Sequence, residues 1–271
     1  MGHHLLRRFD SPPPFHKAIL ESGAATARAV YPASHAIHEE QFQAFVTELG
    51  LGSVPKDQLI TKLREKDTNA IKTASEAVFR TYDESIRWPF QPVIDGEGGM
   101  IPLAPIDAWK SEKRVHVPIL TGFNTNEGAM FVPKDLSTNE DFVNFFHILL
   151  PSLSELDLDV LKKTYPDPET SPQYHETRPD LGTQFKRLEQ AYAHFAYVAP
   201  VRQTAQFAAA AEDGAPVYLY HFAVNSSVLG GADHGDHNGF STNDRDVRER
   251  SESLRDVAGS MHAYWTSFII K

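Results

Sequence analysis

The chain predicts an α/β architecture with a mostly parallel sheet, because short apolar runs of strand character alternate with long stretches of helical spacing. Two runs carry most of that expectation: Val117 to Leu120, and Pro216-Val-Tyr-Leu-Tyr-His-Phe222. Phe15-His-Lys-Ala-Ile-Leu-Glu-Ser-Gly23 is a third, stopped at Ser22-Gly23. Three strands are few for 271 residues, so the sheet is expected to be incomplete.

Taken in order, residues 1–14 read as an irregular leader ended by three prolines, with 15–271 as one partial domain. Ile37, Phe42, Phe45, Val46 and Leu49 fall at helical spacing within Ser34–Leu51, closed by Gly50 and Gly52. Helices follow at about 57–66 and 68–80, then an extended, glycine- and proline-rich stretch from Trp88 to Pro102. The run from Val117 to Leu120 breaks at Thr121-Gly122, and a polar loop delivers one acid, Glu127. Ser137 with Glu140, and Ser152 with Glu155, form capping boxes that open two further helices. An alanine-rich helix covers about 183–212, bent or broken at Pro200, and a last helix covers 249–270.

Composition removes several function classes. A formal charge of −10 without a basic stripe leaves nothing to neutralise phosphate, so a nucleic-acid partner is not expected. Zero cysteines exclude disulfides, thiolate metal sites and a cysteine nucleophile within these residues. No window approaches the roughly 18 apolar residues of a spanning helix. The first residues carry neither a signal-peptide core nor a myristoylation pattern, since Leu6 stands where Ser or Thr is wanted. The compartment stays open.

An acid at the end of a buried strand, followed far downstream by a histidine on the loop Gly231-Ala-Asp-His-Gly-Asp, is two thirds of a hydrolase triad in chain order. Glu127 would orient His234, and His234 would act as general base. The bland alternative makes Glu127 a solvated loop acid and His234, one of 13 histidines, a turn residue in a polar loop. Asp233, His234, Asp236 and His237 also form a compact set of oxygen and nitrogen donors, although neighbours in one loop seldom all face one ion.

Six segments occur together in one order: Phe15–Gly23, Phe90-Gln-Pro-Val-Ile-Asp-Gly, Val117-Pro-Ile-Leu-Thr-Gly-Phe-Asn-Thr-Asn-Glu-Gly, Pro200-Val-Arg, Gly231-Ala-Asp-His-Gly-Asp and Tyr264-Trp-Thr-Ser-Phe. In this they resemble the carboxylesterase type B (cholinesterase-like) family, its fungal members above all, from Phe15 to the last residue. That resemblance implies the C-terminal half of an α/β-hydrolase fold, a small-molecule ester substrate for the full-length enzyme, and no metal or organic cofactor. It makes Glu127 the acid and His234 the base. Phe123 and Phe131 would stand near the acyl pocket or in the core.

The nucleophile is the departure. No Gly-x-Ser-x-Gly occurs, and no His-Gly-Gly oxyanion segment. Ser22 is flanked by Leu20 and Ala24, so no strained elbow is expected there. The resemblance places it in the strand after the nucleophile helix, near the acid, which implies a hydrogen bond as its role. Truncation at both ends is the simplest account, with no serine-esterase turnover by this chain alone. The alternative is a cholinesterase-like binding protein that has lost catalysis. Half a sheet leaves apolar strand edges open, so the purified chain should be poorly soluble. Size-exclusion chromatography with thermal melting checks this; a monodisperse preparation that melts cooperatively would contradict it.

Overall fold

The computed structural model describes residues 1–7, 12–27, 30–111, 114–210, 214–226 and 231–271. Residues 8–11 of the expected leader and 211–212 of the expected long helix lie outside the described residues. Three strands, β1 (Ala18–Glu21), β2 (Ile119–Asn124) and β3 (Val217–Phe222), form a parallel sheet in the order β1-β2-β3. The register sets Ala18 beside Ile119, and Ile119 beside Val217.

Parallel neighbours need long crossovers, and helices fill them. Before β1 lies α1 (Gly2–Leu5); α2 (Ala36–Glu48), α3 (Lys56–Arg64), α4 (Thr68–Asp83) and α5 (Pro105–Lys110) lie between β1 and β2. Between β2 and β3 come α6 (Asn139–Leu149), α7 (Glu155–Thr164), α8 (Phe185–Ala193) and α9 (Ala199–Ala209). After β3 follow α10 (His237–Ser241), α11 (Arg245–Arg248) and α12 (Glu252–Ile270). Successive strand residues face opposite sides, so Ile119 packs with Leu5, Trp109 and Ala208 while Leu120 packs with Phe240, Met261 and Trp265. A third core gathers Phe142, Phe146, Phe185, Leu188 and Tyr192 where α6 meets α8.

Several elements differ from the sequence reading, each for a local reason. The stretch expected to be an irregular leader contains α1, whose Leu5 is fully buried. The residue that caps α6 is Thr138, one later than the expected Ser137. Asp141 reaches back to the Thr138 N–H, while the Ser137 carbonyl is held outside the helix by the Thr183 hydroxyl at 2.8 Å. The box that opens α7 is Ser154 with Asp157, two residues beyond the expected one. The alanine-rich helix breaks ahead of Pro200, in a wide turn of π type over His194–Val198. Proline at 200 cannot donate to the carbonyl four residues back and crowds it, and the wider turn absorbs the misfit.

The strand β2 runs through the break expected at Thr121-Gly122 and ends at Asn124. Gly122 interrupts nothing; the Tyr220 ring of β3 lies over it, and a Cβ there would overlap that ring. On β3, Tyr218 and Leu219 are half exposed, and Tyr264, Ile269 and Ile270 of α12 are exposed. Gly122→Ala is expected to displace Tyr220 and cost about 1–3 kcal/mol. Thermal denaturation should show a Tm several degrees lower, and an unchanged Tm would mean that the ring moves without penalty.

Candidate active site

The loops that leave β2 and β3 at their C-terminal ends lie side by side, which is where open parallel sheets place functional groups. An isolated parallel bridge joins Asn126 to Asp233. Asn126 N–H donates to the Ala232 carbonyl at 2.9 Å, and Ala232 N–H donates back to Asn126 Oδ1 at 3.1 Å. Asn124 Nδ2 donates to the Asp233 carbonyl at 2.6 Å. These bonds bring together the two residues that the sequence singles out.

His234 Nδ1 and Glu127 Oε2 are 2.6 Å apart. A carboxylate can only accept, so the proton belongs on Nδ1 and the Nε2 lone pair is left for chemistry. The other oxygen, Oε1, accepts from Asn124 N–H at 2.6 Å. The Glu127 side chain is sealed from solvent, whereas the His234 side chain is 30% exposed. Among the described residues no hydrogen bond engages Nε2. Phe131 meets the imidazole edge-on with centroids 5.1 Å apart, and Tyr197, from the wide turn before Pro200, lies at 4.8 Å. Phe123 stacks instead on His221 at 4.9 Å.

Ser22 combines two properties that the sequence does not announce. Its backbone is left-handed, with φ of 51°, at the end of β1, so a turn of strained type exists there despite the absent glycines. Its N–H donates to the Gly122 carbonyl at 2.9 Å. Its hydroxyl, however, is buried and has no hydrogen-bond partner among the described residues, so the bond expected near the acid does not form there.

The four donors considered as a metal set are used separately. His234 faces Glu127; Asp236 Oδ2 accepts from Asp233 N–H at 2.9 Å and from the Ser226 hydroxyl at 3.0 Å. His237 is buried with Nε2 3.5 Å from Glu21 Oε1, an oxygen that also accepts from Trp265 Nε1 at 2.8 Å. Together with the Trp265 donor, His237 holds the Glu21 carboxyl below its ordinary range, against the opposing effect of burial. Among the described residues no group of three or more such side chains could hold a metal ion.

Glu189, in α8, escapes the sequence reading. It is 6% exposed, and Asn126 Nδ2 donates to its Oε1 at 2.8 Å. The signal is an acid on the buried face of α8, among Phe185, Leu188 and Tyr192. Burial pushes its carboxyl up to about 7; the Asp233 charge adds to this, while the Asn126 bond and the Arg178 and Lys186 charges oppose it. Between the ordinary 4.5 and about 7, the folded chain holds a proton that the unfolded chain has released. This residue's contribution to stability therefore falls as pH rises through that window and is constant above it. Glu189→Gln, neutral throughout, should lose that slope. Urea unfolding at about pH 5 and about pH 8 should show its advantage over the native chain growing by on the order of 2–3 kcal/mol; equal differences at both would contradict the assignment.

Comparison with known proteins fits this geometry. Residues 3–271 match the model of the carboxylesterase family, a match that begins ahead of Phe15. The chain is 29% identical over 261 residues to secreted lipase 4 of Gibberella zeae, covering 94% of this chain and 45% of that protein. It is similar to the crystal structure of Aspergillus niger EstA, with a TM-score of 0.70 and 24% identity, covering 88% of this chain and 44% of that one. The chain thus spans less than half the length of these two relatives. No described helix is long and apolar enough to cross a membrane. The fold is that of an α/β-hydrolase, and the chain belongs to the carboxylesterase family.

Proposed function

We propose that residues 15–271 form part of a carboxylesterase type B domain and supply the acid and base of a serine ester hydrolase. The observation that carries this reading is the 2.6 Å contact between a sealed carboxylate, Glu127, and a solvent-reached imidazole, His234. In that reaction a serine oxygen attacks the carbonyl of a small-molecule ester as His234 Nε2 takes its proton. Nε2 then protonates the leaving alcohol, and the acyl group stays on the serine. Water attacks next, its proton passing to Nε2. The bond from the acyl carbon to the serine oxygen then breaks, Nε2 returns that proton to the serine oxygen, and the carboxylic acid is released. Throughout, Glu127 holds the Nδ1 tautomer and stabilises the imidazolium. The similarity to a secreted lipase supports an ester substrate.

The serine and the oxyanion donors are not encoded in an elbow within these residues, since no Gly-x-Ser-x-Gly is present. They are supplied from outside residues 1–271. Ser22 is no substitute, because a buried hydroxyl cannot reach an ester. The purified chain should therefore show no nitrophenyl-ester turnover and no labelling by a fluorophosphonate. Labelling that Ser22→Ala abolishes would place the nucleophile here after all. In a longer polypeptide carrying these residues behind a Gly-x-Ser-x-Gly segment, Glu127→Gln should lower kcat by about 10⁴-fold, as wrong-tautomer variants do. A loss under about tenfold would sink the acid–base assignment.

A further inference from the structure

The mechanism leaves one buried acid unused. Glu189 stands on the far side of Asn126 from the histidine loop, its Oε2 buried and unpartnered among the described residues. Asn126 is bound on both sides at once, with Nδ2 on Glu189 Oε1 at 2.8 Å and Oδ1 on Ala232 N–H at 3.1 Å. Turning that amide over would set its NH₂ against the Ala232 N–H and its oxygen against the Glu189 oxygen. Glu189 and the Ala232 N–H together therefore fix which way Asn126 faces. Asn126 in turn grips Ala232, two residues before His234, and it adjoins Glu127 in sequence.

Resting on the acid–base reading above, we propose that Glu189 is a positioning residue that locks the Asn126 amide and thereby keeps His234 Nδ1 on Glu127. The main chain at 189 packs separately from this: its carbonyl lies against Gly128 so closely that a Cβ there would overlap it. Changing the side chain thus tests the lock without removing the packing of α8 on the acid loop. In the neutral acid the carbonyl oxygen still accepts from Asn126 Nδ2, and the Ala232 N–H still rejects the turned amide. The charged groups acting on Glu189 are Asp233, Arg178 and Lys186. Glutamine reproduces the neutral acceptor, and leucine removes it.

Proton NMR of the purified chain reads this without turnover. The Nδ1 proton of His234, shared with Glu127, gives a low-field resonance, and amide exchange at Ala232 reports the grip of Asn126. Glu189→Leu and Asn126→Ala should each broaden or abolish the His234 resonance and speed Ala232 exchange by about tenfold or more. Glu189→Gln should keep both as in the native chain, and the Glu189→Leu/Asn126→Ala double variant should be no worse than either single one. The inference is overturned if Glu189→Leu keeps the native resonance and protection, or if Glu189→Gln fares as badly as Glu189→Leu. Should Glu189→Leu fail to fold, native behaviour in Asn126→Ala overturns it equally. A native chain without the resonance would instead remove the Glu127–His234 pairing, and the proposed function with it.

Discussion

A carboxylate held out of water against an imidazole that water can reach is the constraint on which the rest of this structure depends. Burying Glu127 is costly unless each oxygen has a donor, and both do, from Asn124 N–H and His234 Nδ1. The low dielectric around the acid strengthens its hold on the imidazole, while the exposed side of the ring stays available. Neither residue could do this alone. Without the acid on Nδ1, the histidine would choose its tautomer freely.

Keeping the pair together is a problem of aligning two loops that lie more than a hundred residues apart in sequence. Parallel pairing of β2 with β3 brings both loop roots to one sheet end, and the Asn126–Asp233 bridge extends that pairing beyond the strands. Close approaches support it, with the Tyr220 ring over Gly122 and the Glu189 carbonyl against Gly128. The wide turn before Pro200 adds Tyr197 to the wall of the imidazole, so a misfit in one helix becomes part of the site.

Local sequence announced much of this. Strand character at 117–120 and 216–222, helical spacing across 34–51, and a lone acid and histidine on glycine-flanked loops were all legible, because each rests on the chemistry of neighbouring residues. Boundaries were less legible. Ser137 and Thr138 each offer a capping hydroxyl with an acid three residues on. The Ser137 hydroxyl turns to the Asp135 carbonyl and its own carbonyl accepts from Thr183 of a distant segment, which leaves Thr138 as the cap. Gly122 read as a break because glycine usually is one, whereas a tyrosine from the neighbouring strand decided its role.

What the sequence determined by itself was the kind of fold and the identity of the two residues that meet. Tertiary structure alone decided that they do meet, that one is sealed and the other open, and that Ser22 is left-handed yet buried. It also turned Glu189, an unremarked acid in a helix, into a neighbour of the site. The physical reason is range: propensity and periodicity act over a few residues. Burial, hydrogen-bond satisfaction and the raised proton affinity of Glu189 come from segments that only the folded sheet brings together.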